Sequence, residues 1–364
     1  MPRLKVAVLF GGRSGEHEVS RNSAFSVAKA LTGSFEVFPV GIAKDGQWCG
    51  PVKIDEIPVF TPEKYEKKAV TILPNPQSGG TIYSLPDLEP ISRVHVFFPV
   101  LHGTFGEDGT VQGLLEMAEV PYVGGGVLAS ALGMDKLMMK AVFAHAGLPQ
   151  VPYIGFLRKE IRERREEVID KIENGLGYPC FVKPANLGSS VGISKAKNRN
   201  ELDRALVLAA QYDRKVIVEK GVNAREIEIS VLGNEDPLAS IPGEIVPCNE
   251  FYDYNAKYVD DRSELHIPAR LSDDQVKMIQ EIALAAYKAI DCAGLARIDF
   301  FIVKDTGQIL INEINTMPGF TSISMYPKMW EHAGIPMGEL VKRLVELALE
   351  RREEAKLSVR TYTG

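Results

Sequence analysis

The segment 294–316 restricts the possible folds more than any other part of the sequence. It consists of two apolar runs that flank the short polar stretch KDTG at 304–307. A short polar stretch between two apolar runs is typical of a β-hairpin. Folding about this turn sets residue 299 opposite residue 312 or 313, so we expect Asp299 to lie beside Glu313.

The polar residues of this hairpin favour a metal site. Because strand side chains alternate between faces, Arg297 shares a face with Asp299, and Asn315 shares one with Glu313. Two carboxylates held close together repel each other, and a divalent cation removes this repulsion. A small set of oxygen ligands suits Mg²⁺, which keeps waters and substrate phosphates as its other ligands. The alternative is a hairpin whose acids face water, but the apolar neighbours and Arg297 favour the metal site.

Strand and helix signals alternate in the first third of the chain, which predicts a parallel sheet covered on both faces. The stretch 51–89 is rich in Pro, Gly and charge and is interpreted as an insertion. Residues 126–147 predict one helix that ends at Gly147, while 239–246 predicts one strand and 337–356 the last helix. With 364 residues, the chain is long enough for two or three domains of mixed α/β and α+β class.

Composition excludes several classes of protein. The formal net charge of −6 argues against a dedicated nucleic-acid binder, which usually has a basic face. No apolar run approaches membrane-spanning length, and the N-terminal apolar stretch is too short for a signal peptide. The four cysteines are scattered without metal-type or disulfide-type spacing. We therefore expect a cytoplasmic protein with no nucleic-acid or membrane partner.

A glycine-rich loop and two lysines are candidates for phosphate binding. Lys183 ends an apolar strand, and the loop 188–192 that follows offers backbone N–H groups and two hydroxyls. Lys136 is a second candidate cation. The absence of GxxxxGK[ST] and of HRD and DFG motifs excludes a P-loop protein and a protein kinase. The glycines at 11–15 follow a strand but lack GxGxxG spacing, so support for a dinucleotide-binding fold is weak.

Glu219 and Glu226 flank the junction between two predicted strands. Carboxylates at such an edge could accept hydrogen bonds from an adenine amino group and from ribose hydroxyls. A salt-bridged, exposed edge is an equally good interpretation of these two residues.

Seven motifs, taken in order, closely resemble those of D-alanine–D-alanine ligases, which belong to the ATP-grasp superfamily. The resemblance extends from about residue 4 to about residue 350. The motifs are FGGRSGEHEVS (10–20), LHGTFGEDGTVQG (101–113), MDK (134–136), FVKPANLGSSVG (181–192), EFYDYNAKY (250–258), ARIDFF (296–301) and NEINTMPGFTSISMYP (312–327).

The resemblance implies three domains. A Rossmann-like parallel-sheet domain on the substrate side would span 1–134, and two ATP-grasp subdomains would span 135–221 and 222–364. The second subdomain would carry the metal hairpin and a lid loop at 251–265 that closes over the site and excludes water.

The resemblance also implies ATP as a substrate and two Mg²⁺ ions, for which Mn²⁺ could substitute. The metal ligands would be Asp299, Glu313 and Asn315, in agreement with the hairpin. The ATP contacts would be Lys136, Lys183, Ser190, Glu219, Val222 and Glu226.

The implied reaction joins two D-alanine molecules for peptidoglycan precursor synthesis. The first carboxylate would attack the γ-phosphate to form an acyl phosphate, and the second amine would then attack the acyl carbon. Arg297 and the Gly319 N–H would stabilise the resulting oxyanion. The remaining implied site residues are Glu16 with nearby His102 for the first D-alanine, Lys257 and Ser324 for the second carboxylate, and a hydrogen-bonded triad of Glu16, Ser189 and Tyr258.

Three other functions compete with this one. Similar ligases that form D-alanyl-D-lactate usually carry histidine in a different lid sequence, so Tyr258 favours an amine as second substrate. A non-enzymatic ATP-binding regulator would not need Arg297, Glu16 and a lid together. An NAD-linked oxidoreductase would need a dinucleotide-binding turn, which this sequence lacks.

The resemblance also implies a homodimer.

Overall fold

The computed structural model describes residues 3–188, 191–246 and 264–359. Within these ranges the helices are α1 (His17–Leu31), α2 (Thr110–Met117), α3 (Val127–Met134), α4 (Lys136–His145), α5 (Arg158–Glu163), α6 (Arg165–Gly175), α7 (Arg199–Tyr212), α8 (Asp273–Ala289), α9 (Met325–His332) and α10 (Met337–Ala355). Short 3₁₀ helices occupy Ile54–Val59, Pro62–Lys68 and Pro76–Ser78.

The strands of the described residues form four sheets. They are β1 (Lys5–Gly11), β2 (Glu36–Ile42), β3 (Trp48–Cys49), β4 (Val70–Ile72), β5 (Thr81–Ser84), β6 (Pro90–Arg93), β7 (Val96–Pro99), β8 (Tyr153–Leu157), β9 (Cys180–Pro184), β10 (Ser194–Ala196), β11 (Lys215–Lys220), β12 (Ala224–Gly233), β13 (Leu238–Ala239), β14 (Gly243–Val246), β15 (Glu264–His266), β16 (Gly294–Val303) and β17 (Ile309–Asn315).

The N-terminal sheet has the order β3-β2-β1-β7, and β2 and β7 run parallel to β1, as predicted. Helix α1 packs on one face, where Val27 and Leu31 join a buried apolar core. The stretch interpreted as an insertion contributes the small antiparallel sheet β4-β5-β6. Its Ile72 and Ile82 pack with Val40 of β2, so this segment covers the opposite face.

Two antiparallel sheets follow. The order β10-β9-β11-β8 forms the central sheet, which packs against α5, α6 and α7. The larger C-terminal sheet has the order β15-β14-β12-β16-β17, and α8 packs on it through Ile279 and Ala283. These two sheets supply the lysines and carboxylates of the candidate site.

The hairpin β16–β17 has the predicted register. Asp299 is opposite Glu313, and Arg297 is opposite Asn315. A β-bulge follows Asp299, since the next pair joins Phe300 to residue 311. A bulge re-aims neighbouring side chains and is common beside active sites.

The single helix predicted at 126–147 is wrong, because the chain breaks at Asp135. This residue is extended (φ −87°, ψ 96°), and its carboxylate accepts hydrogen bonds from the N–H groups of Leu137 and Met138. Asp135 thereby caps the N-terminus of α4, the usual role of an aspartate at that position. Gly147 lies just beyond α4 with φ +70°, a left-handed backbone that favours glycine.

Two other expectations need correction. The strand predicted at 239–246 is divided into β13 and β14, and Pro242 between them has no N–H for a sheet. Helix α9 was not predicted, because 317–336 was interpreted as a loop. No helix in the described ranges combines the length and apolarity needed to cross a bilayer. Residues 251–263 of the predicted lid lie outside those ranges.

Candidate functional site

A row of carboxylates crosses three strands of the C-terminal sheet. Glu228 on β12 is opposite Asp299 on β16, which is in turn opposite Glu313 on β17. Cross-strand partners share a face, so the three acids point to the same side. We call Glu228, Asp299, Glu313 and the adjacent Asn315 the acidic row. The sequence prediction named all but Glu228.

Arg297 is the buried cation of the acidic row. Its Nε and Nη2 lie 2.7 Å from the two carboxylate oxygens of Asp299, and its Nε lies 3.1 Å from Glu228 Oε2. Burial acts to lower the pKa of this guanidinium, but the charges of Asp299 and Glu228 raise it well above its ordinary value. Arg297 is therefore a permanent, fixed positive charge.

The donor set of the acidic row fits Mg²⁺. Asp299 and Glu313 supply carboxylate oxygens, and the Asn315 side chain lies 3.3 Å from Asp299 through its Nδ2. Rotating that amide by half a turn exchanges its nitrogen and oxygen, which occupy equivalent positions in such groups. The described residues contain no metal-type group of three or more His, Cys, Asp or Glu side chains. A site of two carboxylates and an amide suits a cation that keeps several waters and phosphate oxygens.

Lys136 connects the acidic row to the glycine-rich loop. Its Nζ donates to the Leu187 carbonyl at 2.8 Å and lies 3.7 Å from Glu313 Oε2. The break before α4 makes this geometry possible, because the Lys136 backbone N–H donates to the Ala185 carbonyl, between β9 and that loop, at 3.0 Å. A buried ammonium group thus lies between the loop and the carboxylates.

Lys183 and Glu219 form a buried ion pair with Lys140. Lys183 Nζ lies 2.5 Å from Glu219 Oε2, and Lys140 Nζ lies 3.0 Å from Glu219 Oε1. Burial acts to raise the pKa of Glu219, but the two lysines outweigh it and lower the pKa to about 2. For Lys183, attraction to Glu219 and Glu313 outweighs burial and raises the pKa. Glu219 is salt-bridged, as the alternative interpretation held, but it is only 3% exposed.

The other predicted nucleotide contacts lie nearby on the chain. Val222 lies between β11 and β12, and Glu226 on β12 is opposite Phe301; both are half-buried. Their contacts with adenosine stay a prediction. Ser189, Ser190, Lys257 and Tyr258 lie outside the described residues, and so does Cys248, whereas Cys49, Cys180 and Cys292 are buried and free.

Glu16 lies at the N-terminus of α1, between the N-terminal domain and the glycine-rich loop. A Cβ atom on Gly103 would lie 2.6 Å from Glu16 Oε2, and one on Gly188 would lie 2.8 Å away. Glycine at both positions makes room for this carboxylate. The contact with Gly188 brings Glu16 beside the residue that precedes Ser189, as the predicted triad requires.

The loop 316–320 after β17 carries Gly319 and contacts His102. The His102 Nδ1 lies 3.0 Å from the Met317 carbonyl, and its Nε2 lies 3.0 Å from Ser23 Oγ. Both ring nitrogens therefore have protein partners, and the predicted contact of His102 with substrate stays a prediction. Burial lowers the pKa of His102, although the Glu16 carboxylate acts in the opposite direction.

Ser324 lies directly beside Gly319. A Cβ on Gly319 would lie 2.7 Å from Ser324 Oγ, which accepts a hydrogen bond from the Thr321 N–H at 3.0 Å. The two predicted contacts with the reacting groups are thus brought together.

Glu107, which was not predicted, lies near Glu16. It accepts a 2.6 Å hydrogen bond from the Gly103 N–H. Burial, then repulsion from Glu16, raises its pKa to about 8.

Three residues that were not predicted differ in how clearly the sequence signals their place in the site. Glu228 could have been found by pairing β12 with β16, because the two strands have the same length. Lys140 lies one turn beyond Lys136 on α4, a spacing that places both on one side of a helix. Ser23 has no local sequence signal, because its partners are about 80 and 300 residues away.

A parallel-sheet domain followed by two antiparallel sheets, with buried lysines facing an acidic hairpin, defines an ATP-grasp protein. A family profile described as D-ala D-ala ligase N-terminus matches residues 5–125, and one described as D-ala D-ala ligase C-terminus matches residues 142–346. These matches cover most of the chain, and the chain belongs to the D-alanine–D-alanine ligase family.

Individual relatives agree with this assignment. The D-alanine–D-alanine ligase of Heliobacterium modesticaldum is 56% identical, with 97% of each chain covered. That of Acetivibrio thermocellus is 52% identical, with 96% of each covered. Among solved structures, the D-alanine-D-alanine ligase from Coxiella burnetii has a TM-score of 0.85 and 36% identity, covering 98% of this chain and 97% of that one. The VanG D-Ala:D-Ser ligase from Enterococcus faecalis has a TM-score of 0.85 and 37% identity, with coverage of 95% and 99%.

Proposed function

We propose that this protein uses ATP to join two D-alanine molecules into D-alanyl-D-alanine through a D-alanyl phosphate. The observation that carries the proposal is the acidic row facing Lys136, with Arg297 fixed inside it. Carboxylates, an arginine and lysines in one buried cleft are the groups needed to hold a nucleotide's phosphates and stabilise the charge that develops in acyl transfer.

The first step would be phosphoryl transfer. Lys136 and Lys183 bind phosphate oxygens; Lys183 can do so while it stays paired with Glu219, because its ammonium group has three N–H donors. Two Mg²⁺ ions, held by Asp299, Glu313 and Asn315 when bound, would draw negative charge from the transferring oxygens, and Mn²⁺ could substitute. The first D-alanine, bound by its ammonium at Glu16, forms a new carboxyl O–P bond while the bond to ADP breaks.

The second step would be amide formation. The neutral amine of the second D-alanine attacks the acyl carbon and forms the C–N bond. The C–O bond to phosphate breaks, and inorganic phosphate leaves with the bonding electron pair and takes up the proton that the nitrogen loses. Arg297 and the Gly319 N–H would bind the oxyanion, and one such donor typically contributes about 3–4 kcal/mol. Glu228 keeps Arg297 oriented. Ser324 and Lys257 would hold the second carboxylate, while the lid and the triad of Glu16, Ser189 and Tyr258 would exclude water.

We propose that the second substrate is also D-alanine. Relatives about 50% identical are named D-alanine–D-alanine ligases, whereas the D-Ala:D-Ser ligase is 37% identical. Tyr258 supports an amine over D-lactate. We also propose that the enzyme is a homodimer and works in the cytoplasm, where ATP is available, in the synthesis of peptidoglycan precursors.

A substrate screen tests the proposed function. Purified protein with ATP and Mg²⁺ is given D-alanine, D-alanine with D-serine, D-alanine with D-lactate, or L-alanine, and phosphate and product mass are measured. We expect D-alanine alone to give phosphate and D-alanyl-D-alanine, and L-alanine to give neither. A protein that releases no phosphate in response to D-alanine would not have this function.

A further inference from the structure

Two buried side chains of the N-terminal domain hold the loop 316–320 in place. Ser23 Oγ accepts a hydrogen bond from the Phe320 N–H at 3.2 Å, and the His102 ring lies 3.0 Å from both Ser23 Oγ and the Met317 carbonyl. Ser23 is 0% exposed, His102 4%, Met317 3% and Phe320 1%. These bonds therefore form away from competing water.

The chemistry of the groups fixes the direction of each hydrogen bond. A carbonyl only accepts, so His102 Nδ1 carries the proton toward Met317. In a neutral ring Nε2 is then an acceptor, so the Ser23 hydroxyl donates to it. The Ser23 oxygen uses a lone pair for the Phe320 N–H. The resulting chain from Phe320 through Ser23 and His102 to Met317 closes around Gly319.

We propose that Ser23 is a positioning residue for the loop 316–320, which fixes the Gly319 N–H where the oxyanion forms. His102 supports the same loop from the other end through Met317. Because Gly319 is an oxyanion donor only under the proposed function, the role of Ser23 rests on that function.

The position of Ser23 on α1 couples two parts of the site. Glu16 lies at the N-terminus of the same helix, and seven residues along an α-helix correspond to roughly 10 Å. One rigid element therefore sets both the predicted ammonium site of the first D-alanine and the loop that carries Gly319. Replacing Ser23 would loosen the second without touching the first.

The variant Ser23→Ala tests this role. We expect kcat for dipeptide synthesis to fall about 10-fold, less than the ~10²–10³-fold loss on removing an oxyanion donor, because the donor is displaced and not deleted. KM for ATP should change less than about twofold. The first step, measured as D-alanine-dependent positional isotope exchange at the β,γ-bridge oxygen of ATP, should slow less than dipeptide formation.

The matched control is Ser20→Ala. Ser20 lies on the same helix, is 0% exposed and also has two partners: the Gly11 N–H donates to it, and it donates to the Val100 carbonyl. It has no hydrogen bond to the loop 316–320. We expect Ser20→Ala to lower the thermal midpoint without separating the two steps.

Equal slowing of the two steps by Ser23→Ala, or no effect on either, would overturn the positioning role. If Ser23→Ala does not fold, Ser23→Cys keeps a weak donor of similar shape and should separate the two steps to a smaller extent. Wild-type protein that forms no dipeptide would instead defeat the proposed function, so the two failures are distinguishable.

Discussion

At the scale of single residues, the site depends on carboxylates whose charges are held by buried cations. Arg297 contacts both Asp299 and Glu228, so its guanidinium plane is fixed by two strands. Fixed dipoles and charges stabilise a developing oxyanion without reorganising during the reaction. We therefore expect Glu228 to affect catalysis through Arg297, without contacting a reacting group itself.

Glu228→Gln tests this dependence. Loss of one charge partner should lower kcat about 10-fold and reduce the free energy of unfolding by about 1–3 kcal/mol, because Arg297 loses a carboxylate 3.1 Å away with which it forms an ion pair. Steady-state kinetics and urea unfolding measure the two effects. The control, Glu244→Gln, removes a carboxylate that holds Arg225 through two 2.7 Å bonds on the same sheet. It should lose stability and keep kcat; an unchanged kcat in Glu228→Gln would contradict this role.

The Lys140–Glu219 pair predicts a specific response to acid. The pKa of Glu219 is lowered from 4.5 to about 2 in the folded state. Ionised Glu219 therefore stabilises the fold above pH 4.5, and this contribution is lost as the pH falls toward 2. Lys140→Met removes one of its two cations and should move the acid-unfolding midpoint, followed by circular dichroism, to higher pH.

The same variant should raise KM for ATP about 10-fold. Without Lys140, Lys183 alone would neutralise Glu219, so its charge would attract the phosphates of ATP less strongly. The double variant Lys140→Met/Glu219→Gln distinguishes this cause from simple loss of packing. If Lys140 acts through Glu219, the shift of the acid-unfolding midpoint to higher pH caused by Lys140→Met should disappear in the Glu219→Gln background. The same shift to higher pH in both backgrounds would show that Lys140 acts in another way.

Counting residues along the hairpin was enough to bring Asp299, Glu313 and Asn315 together, because strand alternation and turn position are local properties. The Lys140–Glu219 contact was not predictable in this way. It joins α4 to β11, and no local pattern states how a helix packs on a distant strand.

At the scale of elements, the break between α3 and α4 is the decisive feature. Asp135 caps α4 and also forms an ion pair with Lys215 of β11. Apolar residues dominate 126–147 on both sides of Asp135 and Lys136, and the range contains no proline, which is why the sequence favoured one helix. The break costs little because the Asp135 carboxylate accepts hydrogen bonds from two N–H groups that a continuous helix would bond internally.

Asp135→Ala should therefore impair both stability and nucleotide binding. Loss of an N-cap costs about 1–2 kcal/mol. KM for ATP should rise severalfold, because Lys136 loses its orientation toward the Leu187 carbonyl. Thermal unfolding and ATP titration of initial rates measure these effects.

Ser272→Ala is the matched control for this cap. Ser272 caps α8 by accepting a hydrogen bond from the Gln275 N–H, and it lies outside the site. It should cost the stability of a cap alone, less than Asp135→Ala, which also breaks the ion pair with Lys215, and it should leave KM for ATP unchanged. Equal KM values in the two variants would mean that the break in the helix does not position Lys136.

At the scale of the whole molecule, the last helix returns to the first domain. Leu340, Leu344 and Val345 of α10 are buried in the same core as Val8 of β1 and Val27 of α1. The sequence predicted this helix but grouped it with the C-terminal ATP-grasp subdomain. Its apolar face indicated that it packs, but could not indicate against which domain. The domain boundaries themselves stay a prediction.

Leu344→Ala measures this connection. Leu344 is 0% exposed, and such a truncation in a core costs about 2–5 kcal/mol. Leu357→Ala, at a side chain that is 73% exposed, should stay within about 0.5 kcal/mol of wild type. Urea unfolding followed by fluorescence compares them. Equal stability of the two variants would contradict the packing of α10 in the first domain.

We propose that the acidic row binds a divalent cation that ATP needs for the joining of two D-alanine molecules. The most direct measurement is D-alanyl-D-alanine, quantified by mass together with released phosphate, as Mg²⁺ is titrated into wild type and Glu313→Gln. We expect one dipeptide per phosphate in wild type, and at least about a 10-fold higher Mg²⁺ requirement in the variant, because a carboxylate ligand is replaced by a neutral amide. An identical Mg²⁺ dependence in the two proteins, or phosphate without dipeptide, would contradict the claim.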